Sequence, residues 1–263
     1  MRQYYHFVVV RKESSGASSC GSDKKKKAKS NGGLSDLKGL RNLGGKLRIE
    51  KLGHGKDEVR ECNDTNLKDK QHLQELILWW DLWNGESKGY DEMLEGLQPH
   101  PNLKALELWY YMGVRIPSWV SSLTNLVKFE LNQNRRLQHL PSLNQLPFLK
   151  FVSLLGMDAL EYISNENSVS NVVGGSSSSS SSKTPFFPSL SFLHILDCLN
   201  LKGWWRNLDD DDDSEPHHLL LPSFPPCLSK LDIEGCPNLT SMPTISYLKE
   251  CLKLKSYSWK VLE

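Results

Sequence analysis

Apolar residues recur along this chain in a fixed pattern: a leucine, a second apolar residue three positions later, and a third two positions after that. The best-preserved stretch contains three such triplets, namely Leu103-Leu106-Leu108, Leu126-Phe129-Leu131 and Leu149-Val152-Leu154. Their closing pairs begin at residues 106, 129 and 152, so both steps are 23 residues. Alternation along a strand puts the two residues of a pair on one face and their neighbours on the other.

The same pattern continues outward in both directions, with closing pairs that begin at residues 47, 76, 193 and 231. Pattern and spacing are typical of a leucine-rich repeat, in which each unit supplies a short strand and a return segment. One unit cannot bury its apolar face alone, so stacked units form the core. We therefore predict an α/β fold: a leucine-rich-repeat solenoid (horseshoe) of about seven rungs. Its parallel sheet lies on the concave face, and its convex side is irregular or short-helical.

A small polar residue is expected three positions after each closing pair, because its side chain must bond backbone groups where the chain leaves the strand. Asparagine or cysteine holds this position in three units. With these residues, the predicted repeat core is Leu76, Leu78, Leu106, Leu108, Phe129, Leu131, Asn134, Val152, Leu154, Leu193, Ile195, Cys198, Leu231, Ile233 and Cys236.

Two long intervals between units are explained by polar inserts. Residues 165–183 include the serine run Ser176 to Ser182, and residues 207–221 include the aspartate run Asp209 to Asp213. Removing either insert restores a step near 23 residues. Because such segments bury too little apolar surface to offset the entropy of ordering, we predict that both are mobile.

The rest of the chain divides around the solenoid, which we place at residues 34–247. Residues 1–33 are predicted to be a flexible N-terminal segment, and residues 248–263 an irregular C-terminal cap or tail. Within the first segment, the block Lys24 to Lys27 fits either a solvated linker or, less well, a nuclear-import or nucleic-acid patch. Leu34, Leu37 and Leu40 have helical spacing. A second short helix is predicted from Asp91 to Leu97, with Asp91 as its N-cap.

Net charge, apolar run lengths and the cysteine pattern argue against several classes of function. A net charge of +1 gives no argument for nucleic-acid or anionic-membrane binding, and no apolar run is long enough to span a membrane. Six scattered cysteines without a CxxC pair favour reduced thiols and a cytoplasmic location. His217-His218 near the aspartate run would need fixed geometry to bind metal, so a solvated loop is favoured. We predict no metal, no cofactor and no catalytic residues, and hence no enzyme.

Residues beside the closing pairs point away from the core and form the candidate partner-binding surface. Four aromatic residues on two neighbouring strands are predicted to form one exposed cluster, with polar and charged residues around it. Large aromatics of this kind suit protein recognition. Alternatively, loops of the 29- and 30-residue repeats cover the aromatics as additional core. The candidate residues are Trp79, Trp80, Glu107, Trp109, Tyr110, Glu130, Asn132 and His194.

Several phrases of the chain resemble the repeat region of plant intracellular nucleotide-binding leucine-rich-repeat immune receptors of the coiled-coil class. Among them are NLKDKQHLQELILWWD (66–81), LEGLQPHPNLKALEL (94–108) and RIPSWVSSLTNLVKFEL (115–131). The resemblance implies a nucleotide-binding switch module ahead of the repeats, but no GxxxxGK[ST] motif occurs here. We therefore expect a receptor fragment or a truncated stand-alone relative that binds no nucleotide.

By this resemblance, the expected function is non-enzymatic protein recognition in plant innate immunity. The chain would sense a pathogen effector or its host target and would restrain the switch module, which is absent here. The alternative is a stand-alone leucine-rich-repeat scaffold or adaptor, such as a ubiquitin-ligase substrate reader. That alternative requires a partner-binding element outside the repeats, and residues 1–33 show no sequence signal of one.

Overall fold

The computed structural model describes residues 6–10, 29–30, 34–53, 57–81, 89–143, 146–164, 187–205 and 224–240. Within these ranges, one parallel sheet consists of the strands β1 (His6–Val10), β2 (Lys29–Ser30), β3 (Gly44–Leu52), β4 (His72–Trp80), β5 (Ala105–Trp109), β6 (Lys128–Asn132), β7 (Phe151–Leu155), β9 (Phe192–Leu196) and β11 (Lys230–Glu234). Their order across the sheet is β11-β9-β7-β6-β5-β4-β3-β1-β2. A separate two-stranded parallel sheet joins β8 (Tyr162–Ser164) to β10 (Gly203–Trp205).

The seven predicted closing pairs lie in register across the main sheet, which confirms the predicted solenoid. Leu47 pairs with Leu76, Leu76 with Leu106, and Leu106 with Phe129. The 41-residue interval does not interrupt this order, because β7 pairs directly with β9. The sheet therefore continues directly from β7 to β9, although 41 residues separate the starts of their closing pairs.

Both side chains of every closing pair are buried, and none is more than 2% exposed. Together with the leading leucines they belong to one apolar cluster that extends from β3 to β11. This is the consequence of alternation: each strand contributes two residues to the interior, and only stacking of neighbours closes that interior from water. The residues predicted as repeat core are all buried.

In three rungs, the side chain three residues after the pair links the rung to the one before it. Asn134 is fully buried; its amide oxygen accepts a hydrogen bond from the Tyr111 backbone N–H at 2.8 Å, and its amide nitrogen donates to the Leu108 carbonyl at 3.2 Å. Cys198 and Cys236 lie in the same position, with each Sγ directed at backbone carbonyls of its own rung and the preceding one. The side chain here satisfies backbone groups that the turn leaves unpaired.

Short helices lie on the side opposite the sheet. They are α1 (Glu58–Asp64), α2 (Tyr90–Gly96) and the 3-10 helices Leu34–Gly39, Leu67–Asp69 and Ser118–Ser122. The two α-helices contact each other and belong to the 29- and 30-residue repeats, whose extra length allows a full helical turn. The predicted helix at Asp91 is α2, but its N-cap is Gly89, and the Asp91 side chain has another role described below.

The sheet begins further towards the N-terminus than predicted. The prediction of a flexible segment over residues 1–33 is wrong for residues 6–10 and 29–30, because β1 pairs with β3 and β2 pairs with β1. The run of apolar and β-branched residues in β1 suits a strand at this position. The remainder of residues 1–33, both predicted inserts and the 248–263 tail lie outside the described residues.

Candidate functional site

The face of the main sheet opposite the core carries the candidate residues other than Trp80. Each strand from β3 to β11 contributes three residues to this face, namely those before, between and after its closing pair. We call this face the concave surface, as in other solenoids with their sheet on the inside. The residues between the pairs, from β3 to β11, are Arg48, Ile77, Glu107, Glu130, Ser153, His194 and Asp232.

A group of stacked rings stands on this surface at the C-terminal ends of β4 and β5. The indoles of Trp79 and Trp109 are 4.7 Å apart and nearly parallel, at 11°. Tyr110 lies tilted beside them, with ring centroids 5.3 Å and 6.4 Å away, and the Arg48 guanidinium lies 4.7 Å from the Trp79 ring. All four side chains are partly exposed. We call Arg48, Trp79, Trp109 and Tyr110 the tryptophan cluster.

Trp80 does not belong to this cluster, and the prediction that it is exposed is wrong. Its side chain is fully buried and makes an edge contact with Tyr111, at a ring-centroid distance of 4.9 Å. The cause is the length of β4, which continues to Trp80 and pairs it with Leu52. Alternation then places Trp80 on the same face as Leu76 and Leu78. For this one residue, the alternative of additional core is the correct one.

Tyr110 occupies the corresponding position in the next rung but remains at the surface, because the strand has already ended there. Its φ is +57°, and the equivalent residues Gln133 and Asp197 have φ of +55° and +52°. This left-handed turn is unusual for residues other than glycine, and the sequence formula gives no sign of it. It leaves Tyr110 partly exposed at the edge of the core and sends Tyr111 inward.

Asp91 of α2 holds this turn in place. The Tyr111 hydroxyl donates to Asp91 Oδ1 at 2.6 Å, and the Val114 backbone N–H donates to the same oxygen at 3.0 Å. The Tyr111 hydroxyl also lies 2.9 Å from the Arg115 carbonyl oxygen. Burial, followed by the hydrogen bond to Asp91, raises the pKa of Tyr111 well above its ordinary value. The tryptophan cluster is thus attached to a rigid rather than a mobile turn.

Two carboxylates and one ammonium group lie next to the cluster. Lys128 Nζ is 2.8 Å from Glu107 Oε1 and 3.2 Å from Glu130 Oε1. The Trp109 indole N–H is directed at Glu107 Oε2 at 3.4 Å. Burial alone would lower the pKa of Lys128, but the hydrogen bond and charge of Glu107, with those of Glu130, raise it instead. This part of the surface therefore carries an excess of negative charge.

Two of the predicted contact residues are less accessible than expected. Glu107 is 8% exposed and Asn132 is 5% exposed, so the expectation of open side chains at these positions is wrong. Trp109 and Lys128 contact Glu107 directly, and Asn132 is paired in register with Trp109. Glu130 and His194 remain partly exposed.

A second aromatic group on the same surface was missed by the sequence reasoning. Phe151 and Phe192 stack at 4.5 Å and 5°, and Lys128 Nζ and Lys230 Nζ lie 5.6 Å and 4.7 Å from their respective rings. His194 makes an edge contact with Phe192 at 5.9 Å. We call Phe151 and Phe192 the phenylalanine pair. The signal was available, because both residues immediately precede a closing pair and alternation puts that position on the concave surface too.

The concave surface offers rings, charges and hydrogen-bonding groups for contact. Within the described ranges, no group of three or more His, Cys, Asp or Glu side chains is placed to hold a metal ion. No helix among the same residues is long and apolar enough to cross a membrane. What this arrangement does provide is a broad face with half-exposed aromatics on a rigid sheet, which is the composition of protein-binding surfaces.

Geometry and repeat pattern together define a leucine-rich-repeat solenoid. Residues 34–157 match the family described as R13L1/DRL21 LRRs. The chain is 35% identical over 219 residues to the disease resistance protein RGA1 of Solanum bulbocastanum, covering 82% of this chain and 19% of that protein. It is 31% identical over 242 residues to the disease resistance RPP13-like protein 1 of Arabidopsis thaliana, covering 88% and 21%. The chain is thus a leucine-rich-repeat region of the plant disease resistance protein family.

This chain spans about a fifth of the length of these curated relatives. Among solved structures, the leucine-rich-repeat domain of the type III effector XopL aligns with a TM-score of 0.44 and 20% identity. That alignment covers 79% of this chain and 66% of the XopL chain.

Proposed function

We propose that this chain is the protein-recognition region of an intracellular plant immune receptor, acting in the cytoplasm without catalysis. Its ligand is a pathogen effector or the host protein that the effector modifies. The observation that carries the proposal is the tryptophan cluster, in which Trp79 and Trp109 stack on each other while remaining partly exposed on the concave surface. Aromatic residues and arginine dominate the binding energy of protein interfaces.

The rigidity of the surroundings supports a binding role for this surface. The rings stand on paired strands, and the turn beside them is tied to α2 through Tyr111 and Asp91. A surface held in this way loses little conformational entropy when a partner docks, so more of the contact energy appears as affinity. The relatives are named as disease resistance proteins, and this supports the proposal that the recognition serves plant defence.

We further propose that the region restrains the nucleotide-binding switch module of the same receptor until its ligand arrives. In thermodynamic terms, the ligand must bind the released state more tightly than the restrained state, and only that difference in affinity shifts the population. Both the effector and the switch module are therefore candidate occupants of the repeat surface.

Pairwise co-precipitation from leaf cells tests this function. The full 263-residue chain is expressed with a panel of pathogen effectors and, separately, with the nucleotide-binding module of a relative such as RGA1. We expect at least one protein to be retained by the wild-type chain and lost from the W79A/W109A variant. The matched control is F148A/L199A, which removes two exposed apolar side chains away from the concave surface and should bind normally. Equal retention by W79A/W109A, or no retained protein at all, would refute the proposal.

A further inference from the structure

The tryptophan cluster and the phenylalanine pair lie on one face but at opposite ends of the strands. Trp109 follows its closing pair on β5, whereas Phe151 precedes its closing pair on β7. Only β6 separates those two strands. With about 4.8 Å between strands and about 3.3 Å per residue along them, the two groups are roughly 16 Å apart on a diagonal.

The residue at the middle of that diagonal is Glu130. It is the central concave residue of β6, and Glu107 is its direct partner on β5. Lys128 contacts both carboxylates, so three charged groups leave one negative charge uncompensated between the two aromatic groups. Two lysines elsewhere on this surface each have a carboxylate partner: Lys46 pairs with Glu75, and Lys230 with Asp232. The space between the rings therefore carries an acidic excess.

We propose that the concave surface binds one extended peptide segment of its protein partner, with an apolar or aromatic residue at each end and a basic residue between them. One anchor packs on Trp79 and Trp109, and the second packs on Phe151 and Phe192. The basic side chain between them pairs with the partly exposed Glu130, and the buried Glu107 beside it adds negative charge. A span of roughly 16 Å corresponds to about five residues of extended chain. This inference rests on the proposed function and specifies the chemistry of the partner.

Charge and shape favour this occupant over others. A nucleic acid or an acidic peptide would bring negative charge against Glu107 and Glu130, whereas a lysine or arginine removes the local excess. Burial of that pair between two apolar contacts would strengthen it and fix the register of the segment. Lys128 and Lys230, which flank the phenylalanine pair, already contact carboxylates and so offer little to an anion.

Peptide display on the full chain tests the inference. A phage library of random dodecapeptides is selected on the wild-type protein, and the enriched sequences are aligned. We expect two apolar positions about five residues apart with lysine or arginine between them. Enrichment of acidic residues at the middle position, or of peptides with a single apolar position and no basic one, would overturn the proposal.

Variants then assign each part of the enriched peptide to its contact. E107Q/E130Q keeps the side-chain volume and removes the negative charge, so it should lower the affinity for the selected peptide roughly tenfold. Replacing the peptide's basic residue by methionine should weaken binding to the wild type but hardly to E107Q/E130Q. In the same way, loss of one apolar anchor of the peptide should hardly change the affinity of the F151A/F192A variant. F148A is the matched control and should bind every peptide as the wild type does.

The results separate this inference from the function on which it rests. If peptides require Trp79 and Trp109 but ignore the glutamates and the phenylalanine pair, the surface recognises protein but the three-part segment is refuted. If W79A/W109A binds every selected peptide unchanged, the recognition role proposed for this surface falls as well. Urea unfolding midpoints of all variants, measured alongside, show whether a lost affinity reflects a lost fold.

Discussion

The turns that follow β4 and β6 have equivalent positions in the repeat but opposite outcomes. After β6, Gln133 adopts a left-handed conformation and Asn134 inserts its amide beneath the preceding rung. After β4, the chain stays extended to Trp80, which enters the core instead. The comparison teaches that the residue where a strand ends, rather than its place in the repeat formula, decides whether an aromatic side chain is core or surface.

The turn after β5 combines features of both. Tyr110 takes the left-handed conformation, but a tyrosine follows where a small polar residue is expected. Tyr111 is accommodated because its ring packs against Trp80 and its hydroxyl reaches Asp91 on α2. After β5, the turn is thus held by α2 and by the rings of Trp80 and Tyr111. After β6, in a 23-residue repeat, the side chain of Asn134 takes this position.

The largest effect should come from removing the inward tryptophan. Trp80→Ala deletes a fully buried indole and leaves a cavity next to Tyr111, so we expect a loss of about 4 kcal/mol in the free energy of unfolding. Urea denaturation followed by circular dichroism measures it. Leu199→Ala, at a side chain 50% exposed, is the control and should change stability by less than about 0.5 kcal/mol. An equal loss in both variants would contradict the core assignment.

A smaller loss is expected at the polar position of the β6 turn. Asn134→Ala leaves the buried Tyr111 N–H and Leu108 carbonyl without their partner, at a cost of about 3 kcal/mol. Asn125 also donates to a carbonyl of the preceding rung, that of Pro101, but at an exposed site. Asn125→Ala should therefore cost well under about 1 kcal/mol, since water replaces the lost partner. Similar urea midpoints for the two variants would refute the idea that burial makes Asn134 essential.

The smallest of these three losses in the free energy of unfolding is expected at Tyr111, which replaces asparagine after β5. Tyr111→Phe keeps the ring packing and removes the hydroxyl, which contacts Asp91 and the Arg115 carbonyl, so a loss of about 1–2 kcal/mol is expected. The loss should shrink in an Asp91→Ala background, where the Arg115 carbonyl is the acceptor that remains for the hydroxyl. A full loss that persists in that background would contradict the role given to Asp91 and would assign the effect to the Arg115 carbonyl.

The same bond predicts a dependence on pH. Because folding raises the pKa of Tyr111, the folded protein keeps a proton that the unfolded chain releases above about pH 10. The stabilisation is complete below that pH and declines as pH rises further. The difference between the urea midpoints of wild type and Tyr111→Phe should be constant from pH 7 to 9 and should shrink above about pH 10. A difference that grew with pH would contradict the assignment.

Much of this fold follows from apolar spacing alone. All seven closing pairs from residue 47 to residue 231 lie in one register, because a leucine pattern that buries two side chains per strand leaves stacking as the only way to close the core. The strand β1 was missed as part of the sheet. It is a single short apolar run with no repeat partner at the expected spacing, so periodicity had nothing to compare it with.

The candidate site was less predictable than the core. Trp80 was misplaced because backbone dihedral angles at a turn are not encoded in the repeat formula, and neighbouring residues such as Trp79 and Trp80 have the same chemistry. Asp91 was assigned as a helix cap from its position alone, whereas its carboxylate bonds a tyrosine 20 residues away. The phenylalanine pair could have been predicted from the sequence, because both residues directly precede a closing pair.

The free energy of unfolding of W79A/W109A, compared with that of Trp80→Ala, tests the central claim most directly. If the tryptophan cluster is a recognition surface, loss of two partly exposed, stacked rings should cost about 2 kcal/mol together, roughly half the loss at Trp80 alone. A loss as large as that of Trp80→Ala, or larger, would show that the two rings are core. The concave surface would then lack the contact residues on which the account depends.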